Sequence, residues 1–174
     1  PIASLLYWFT TGLSAGLDAG RLGAGIAATA WLSLLGAVAC TLGAVPVGIL
    51  AARHRGRFTT VIEQVKYAGH ALPGIVVALA LVFLGVRVVP WAYQEAPLLV
   101  LAYVVLFLPT AVGSVRSSVA QSSVRGEEVA RSLGASPGEV LRRVTLPLAA
   151  PGISAGAALV LLTCMKELPA TLLL

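Results

Sequence analysis

Apolar residues run along most of this chain, and the polar ones gather in a few islands that cut it into lengths suited to helices crossing a bilayer. The first apolar length, PIASLLYWFTTG, is too short to span alone, and its Tyr7 and Trp8 suit a membrane–water interface. Residues 1–24 are therefore expected to hold the end of a preceding span and an external loop. A complete span is predicted over about residues 25–52, where Ser33, Gly36, Ala37, Cys40, Thr41, Ala44 and Gly48 recur at three- and four-residue spacing. Such a smooth stripe lets a neighbouring helix approach closely, and Pro46 is expected to bend the inner end. The span stops at the basic run Arg53-His54-Arg55-Gly56-Arg57.

Residues 58–70 mix Val61, Ile62 and Val65 with Glu63, Gln64 and Lys66, the pattern of an amphipathic segment at the inner surface or an inner extension of the next span. His70 reads as an ordinary interfacial residue. Leu72-Pro73-Gly74 opens the apolar part of a second span, predicted over about 67–86 because residues 75–86 alone fall short of a bilayer about 30 Å thick. An outer loop with Trp91, Tyr93 and Glu95 follows, then a third span over about 98–115 with Pro109 as a kink. Residues 116–150 form the largest polar island. A fourth span is expected over 152–174, with Gly152 and Gly156 as a close-packing pair.

Inside that island, residues 128–147 read EVARSLGASPGEVLRRVTLP. Ser136 can cap a helix, Pro137 occupies the first helical position where its missing N–H costs nothing, and Glu139 closes a capping box. Upstream, residues 128–133 are good helix formers with Val129 and Leu133 four apart on one face, and Gly134 is expected at a turn with little room for a Cβ. Downstream, Val140 and Val144 make an apolar stripe beside Glu139, Arg142 and Arg143, until Pro147 and Pro151 are expected to interrupt the hydrogen-bond ladder. The prediction is helix, sharp turn, helix: a short, rigid, charged knob.

Composition agrees with a bilayer protein: the chain is 58% hydrophobic and 11% charged, with a mean hydropathy of +0.93. The net charge of +5 is arranged by side, since nine of the twelve Lys and Arg fall in the two stretches placed inside the cell. That asymmetry predicts a cytoplasmic knob and argues against a nucleic-acid patch. Cys40 and Cys164 lie within apolar runs, as small packing residues outside any metal-ligand spacing. The chain begins without Met and ends in an apolar run, and reads as part of something longer.

The knob resembles the EAA loop of importer-type ABC transporter membrane subunits: Glu128, Val129 and Ala130, then Gly134, then Val144, Thr145, Leu146 and Pro147 at the family's spacing. The family usually has alanine where Val129 stands and often isoleucine where Val144 stands. The resemblance implies that Glu128, Val129, Ala130, Gly134, Ser136, Pro137, Glu139, Val144, Leu146 and Pro147 form the coupling element that docks on a separate ATPase subunit. Leu72-Pro73-Gly74-Ile75 and the run MKELPATLLL further resemble ferric-iron-type permeases, in which two homologous halves are often fused. Their fold is all-α, a transmembrane bundle with five core spans; this chain would carry four of them, as the second half of a fused permease.

The chemistry in the chain is sparse. No phosphate-binding GxxxxGK, HExxH or serine elbow occurs, so no catalytic residue, metal site or cofactor site is assigned, and ATP is expected to be used by the partner subunit. Lys166 and Glu167 would lie in the outer part of the bilayer, since fifteen residues of helix from Gly152 rise about 22 Å. Such costly charges either face a translocation route or form a structural ion pair with another span. The resemblance implies a multi-pass protein of the bacterial inner membrane working with cytoplasmic ATPase subunits, a periplasmic or lipid-anchored substrate-binding protein and a second permease half or subunit. Ferric iron is the expected cargo; thiamine, polyamines, sulfate and molybdate are alternatives. A membrane-anchored protein that recruits a partner without transport, and a secondary transporter driven by an ion gradient, are the rivals of other classes.

Overall fold

The computed structural model describes residues 2–14, 19–53 and 73–174, without the side chains of 13, 14 and 19, and every regular element among them is helical. The basic run after Arg53, the amphipathic segment with His70, and the start of the expected second span lie outside the described residues. The chain divides into two units, residues 1–31 and 32–174.

The first unit holds α1, Ile2–Ser14, and the beginning of α2, Ala19–Arg53. Its apolar side chains, Ile2, Leu5, Leu6, Tyr7, Trp8 and Phe9 among them, are exposed, as they would be against lipid. Helix α2 starts several residues ahead of the expected span and runs unbroken through Pro46 to Arg53.

The second unit continues α2 and adds α3, Gly74–Arg87; a short turn of 3-10 helix, Pro90–Ala92; α4, Ala96–Gln121; α5, Val124–Ser132; α6, Pro137–Val140; a π-helical turn, Leu141–Thr145; α7, Leu146–Met165; and α8, Leu168–Leu173. Among the described residues, three helices are long and apolar enough to cross a membrane: Gly20–Arg53, Ala96–Gln121 and the continuous run Pro137–Met165. The fold is all-α and polytopic. Helix α3 is about 21 Å long at 1.5 Å per residue, and the residues that would lengthen it precede Pro73.

Small residues bring the helices together. Gly36 and Gly48 of α2 lie against Tyr103 and Val115 of α4, while Gly152 and Gly156 of α7 lie against Ser118 and Ser114 on α4. Alanines 37, 44, 78, 102, 111 and 149 are buried in the same core, and the large apolar residues Leu42, Leu79, Phe83 and Leu162 point outward. This inversion, small inside and large outside, is how helices pack where lipid removes the hydrophobic drive between them. Helix α4 reaches past the expected end at 115 to Gln121, with Ser114 and Ser118 donating back to the carbonyls of Thr110 and Ser114.

Two expectations about helix breaks are corrected. Pro147 and Pro151 leave the helical run from Pro137 to Met165 continuous. In the π-turn the Leu146 N–H bonds back five residues to the Leu141 carbonyl, and this wider turn carries the ladder over the position where Pro147 has no donor. Instead the break falls at Lys166 and Glu167, where Glu167 is extended (φ −79°, ψ 100°) ahead of α8. Pro169 explains it: a proline there can neither donate to nor pack against the Met165 carbonyl, so α7 ends at that residue.

Candidate functional site

The knob is built as its residues dictate. Helix α5 ends in a turn whose Gly134 has φ +87°, the left-handed region that favours glycine. A Cβ on Gly134 would meet nothing within 4 Å, so the need for glycine comes from the backbone dihedral and not from the crowding expected above. The Gly134 and Ala135 N–H groups donate to the carbonyls of Arg131 and Ala130, closing α5. At the start of α6, the Ser136 N–H donates to Glu139 Oε2 at 3.0 Å and the Glu139 N–H donates to Ser136 Oγ at 3.4 Å, completing the capping box with Pro137 at the first helical position. The Ser136 backbone N–H, then its hydroxyl and the Arg143 guanidinium, hold the Glu139 carboxyl below its ordinary range.

The turn and the two helices enclose a cleft of about 380 Å³ lined by Ala130, Leu133, Gly134, Glu139, Val140, Arg143 and Val144. Beside it, Val129 and Leu133 stand 58% and 82% exposed. Glu128 is exposed on the same short helix. Leu146 is half-buried and Pro147 exposed where the π-turn passes into α7.

The residue that sequence reasoning missed is Glu127. It is 4% exposed, and Arg131 reaches its carboxylate at 3.4 Å. Arg53, the last residue of α2, donates from Nε and Nη2 to Glu127 Oε1 at 3.1 and 2.6 Å, and from Nη2 to Ser122 Oγ at 2.7 Å. Thr145 in the π-turn donates to the same Oε1 at 2.8 Å. A charge closing a span calls for a counter-charge, but Arg53 finds it 74 residues away, a distance no local pattern reveals.

The second candidate lies toward the other end of the bundle. Tyr103, whose hydroxyl shares a 2.8 Å hydrogen bond with Thr171, stands about 28 Å along α4 from Ser122 at 1.5 Å per residue. Glu167 is half-buried close to the first residue of α3, with its Oε1 buried and, among the described residues, without a hydrogen-bond partner, while Lys166 is exposed. Among the described residues no three His, Cys, Asp or Glu side chains cluster as a metal site would require.

Residues 44–174 match the family described as binding-protein-dependent transport system inner membrane component. The whole chain is 38% identical to the Fe(3+)-transport system permease protein FbpB 2 of Haemophilus influenzae, over 35% of that protein. It is 34% identical to the molybdenum transport system permease protein ModB of Mycobacterium tuberculosis, over 78% of this chain and 55% of that one. It is 32% identical to the spermidine/putrescine transport system permease protein PotC of Escherichia coli, over 60% of this chain and 39% of that one. The chain thus spans between about a third and just over half of the length of these relatives.

Proposed function

The chain belongs to the family of binding-protein-dependent transport system inner membrane components, and on that premise we propose that it forms part of the translocation pathway of an ATP-driven importer of ferric iron. The observation that carries this reading is the knob: a charged, capped helical turn with an exposed apolar ridge and a cleft, set where three helices of the bundle end. A separate ATPase docking there displaces a stiff body and not a yielding loop, so its movement reaches the helices. Glu128, Val129 and Leu133 supply the outward contacts; Gly134, Ser136, Pro137 and Glu139 keep the turn stiff; Val144, Leu146 and Pro147 join it to α7. The excess of Lys and Arg near this end of the bundle favours the cytoplasmic side.

Lys166 and Glu167 line the route at the other end, where the helix break exposes polar backbone that only a cavity or a protein neighbour can satisfy. The cargo follows from the similarity, along the whole chain, to an Fe(3+)-transport permease; a single carboxylate serves to guide a hard cation and not to hold one. A periplasmic binding protein and a second permease half complete the assembly. The test is uptake of labelled ferric iron, with molybdate as the competing arm, by cells carrying wild type or Gly134→Val. Iron uptake lost in the variant, with permease and ATPase still at the membrane, supports the reading, and normal uptake refutes it.

A further inference from the structure

The Glu127 carboxylate is where the knob meets the bundle. From the first turn of α5 it accepts from Arg53 at the end of α2 and from Thr145 in the turn that leads into α7, while Arg53 reaches on to Ser122 at the end of α4. The Glu127–Arg53 pair therefore ties three helices to the knob. A charge pair withdrawn from water adds little stability over an apolar filling, so what it supplies here is geometry. The guanidinium is a planar fork gripping one carboxylate oxygen through two nitrogens, and the end of α2 cannot turn without carrying Glu127. Thr145 meets that oxygen from the one stretch of Pro137–Met165 whose ladder is π-spaced, where a helix can reseat its register.

We infer that Glu127 is the positioning residue through which displacement of the knob is passed at once to α2 and α7, with Arg53 and Thr145 as its receivers. Glu128, exposed beside it, faces the partner and plays no part in this transfer. The inference rests on the reading of the knob as an ATPase-coupling element.

The test takes the whole transporter with its ATPase and binding protein in proteoliposomes and reads ferric iron taken up per ATP hydrolysed. Glu127→Gln is expected to keep the ATPase bound and hydrolysing while uptake per ATP falls about tenfold, within the usual span of coupling between sites. Thr145→Val, which keeps the ion pair, is expected to lower it about threefold. Exchanging the charges, with Arg53→Glu and Glu127→Arg together, is expected to recover part of the ratio. An unchanged ratio in Glu127→Gln overturns the inference, as does loss of the ATPase from the complex, which would put Glu127 in docking. Should Glu127→Gln fail to reach the membrane, Thr145→Val decides alone, an unchanged ratio again being fatal. If wild type itself takes up no iron on ATP, the proposed function fails, and with it the premise on which this inference rests.

Discussion

The Oε1 atom of Glu167 lies 2.7 Å from the point that a Cβ on Gly74 would occupy. The glycine thus gives the carboxylate its place against the first turn of α3, and the obstructing atom is the free end of a flexible side chain. Gly74→Ala is therefore expected to cost little stability, about 0.5 kcal/mol or less, because the carboxylate swings aside and the backbone stays. If Glu167 guides the cargo, that swing alone should lower iron uptake about tenfold at unchanged membrane abundance, and Glu167→Gln should do the same. Loss of abundance in both variants would mark Glu167 as half of a structural pair, and normal uptake would remove it from the route.

Elsewhere the same substitution meets rigid neighbours. A Cβ on Gly36 would come 2.6 Å from Cδ2 of Tyr103, a buried ring tied through its hydroxyl to Thr171, and one on Gly48 would come 2.7 Å from Cβ of Val115. Neither neighbour can rotate out of the way. Gly36→Ala and Gly48→Ala should each destabilise the bundle by about 1–3 kcal/mol, the usual cost of overpacking, seen as a lower Tm in detergent. An unchanged Tm would show that α2 and α4 separate freely at these points.

That contrast marks where the sequence was legible. The small-residue stripe of α2, the Ser136 cap and the Gly134 turn each follow from chemistry within a few residues, and each stands in the structure where expected. Glu127 was not legible, because adjacent carboxylates look alike until the fold buries one and exposes the other. The continuity through Pro147 was hidden for a related reason: a proline read locally is a break, and only the π-turn before it, held by Thr145 on Glu127, shows how the helix absorbs it. Conversely, Pro169 ended a helix that apolar pattern alone would have continued.

At Gly134 the requirement is dihedral, and the open space around it separates that effect from packing. Asn enters the left-handed region most readily, Ala less so, and a β-branched residue hardly at all. Gly134→Asn should retain most uptake, Gly134→Ala less, and Gly134→Val should lose nearly all, with a turn strained by about 1–2 kcal/mol. The check is uptake at matched membrane abundance. Equal uptake in Asn and Val variants would mean that the shape of this turn is not what the ATPase senses.

The capping box makes the knob's stiffness dependent on acidity. Glu139 is held below its ordinary pKa of 4.5 by the Ser136 N–H, then by the Ser136 hydroxyl and by Arg143. A carboxylate lowered in the folded state contributes stability that is complete above its unfolded value and is lost as pH falls through the folded one. Hydrogen exchange of the Val140 and Leu141 amides, read as protection factors corrected for intrinsic rates, should therefore stay level from neutral pH down to the mid-4 range and weaken below it. Ser136→Ala removes the side-chain half of the cap at any pH, with a cost of about 1 kcal/mol and so about fivefold less protection at neutral pH. The residual acid dependence in that variant should shrink, because the hydroxyl that helped lower Glu139 is gone. A full acid response in Ser136→Ala would show that Arg143 and the backbone N–H suffice, and that the hydroxyl serves only the amide of Glu139.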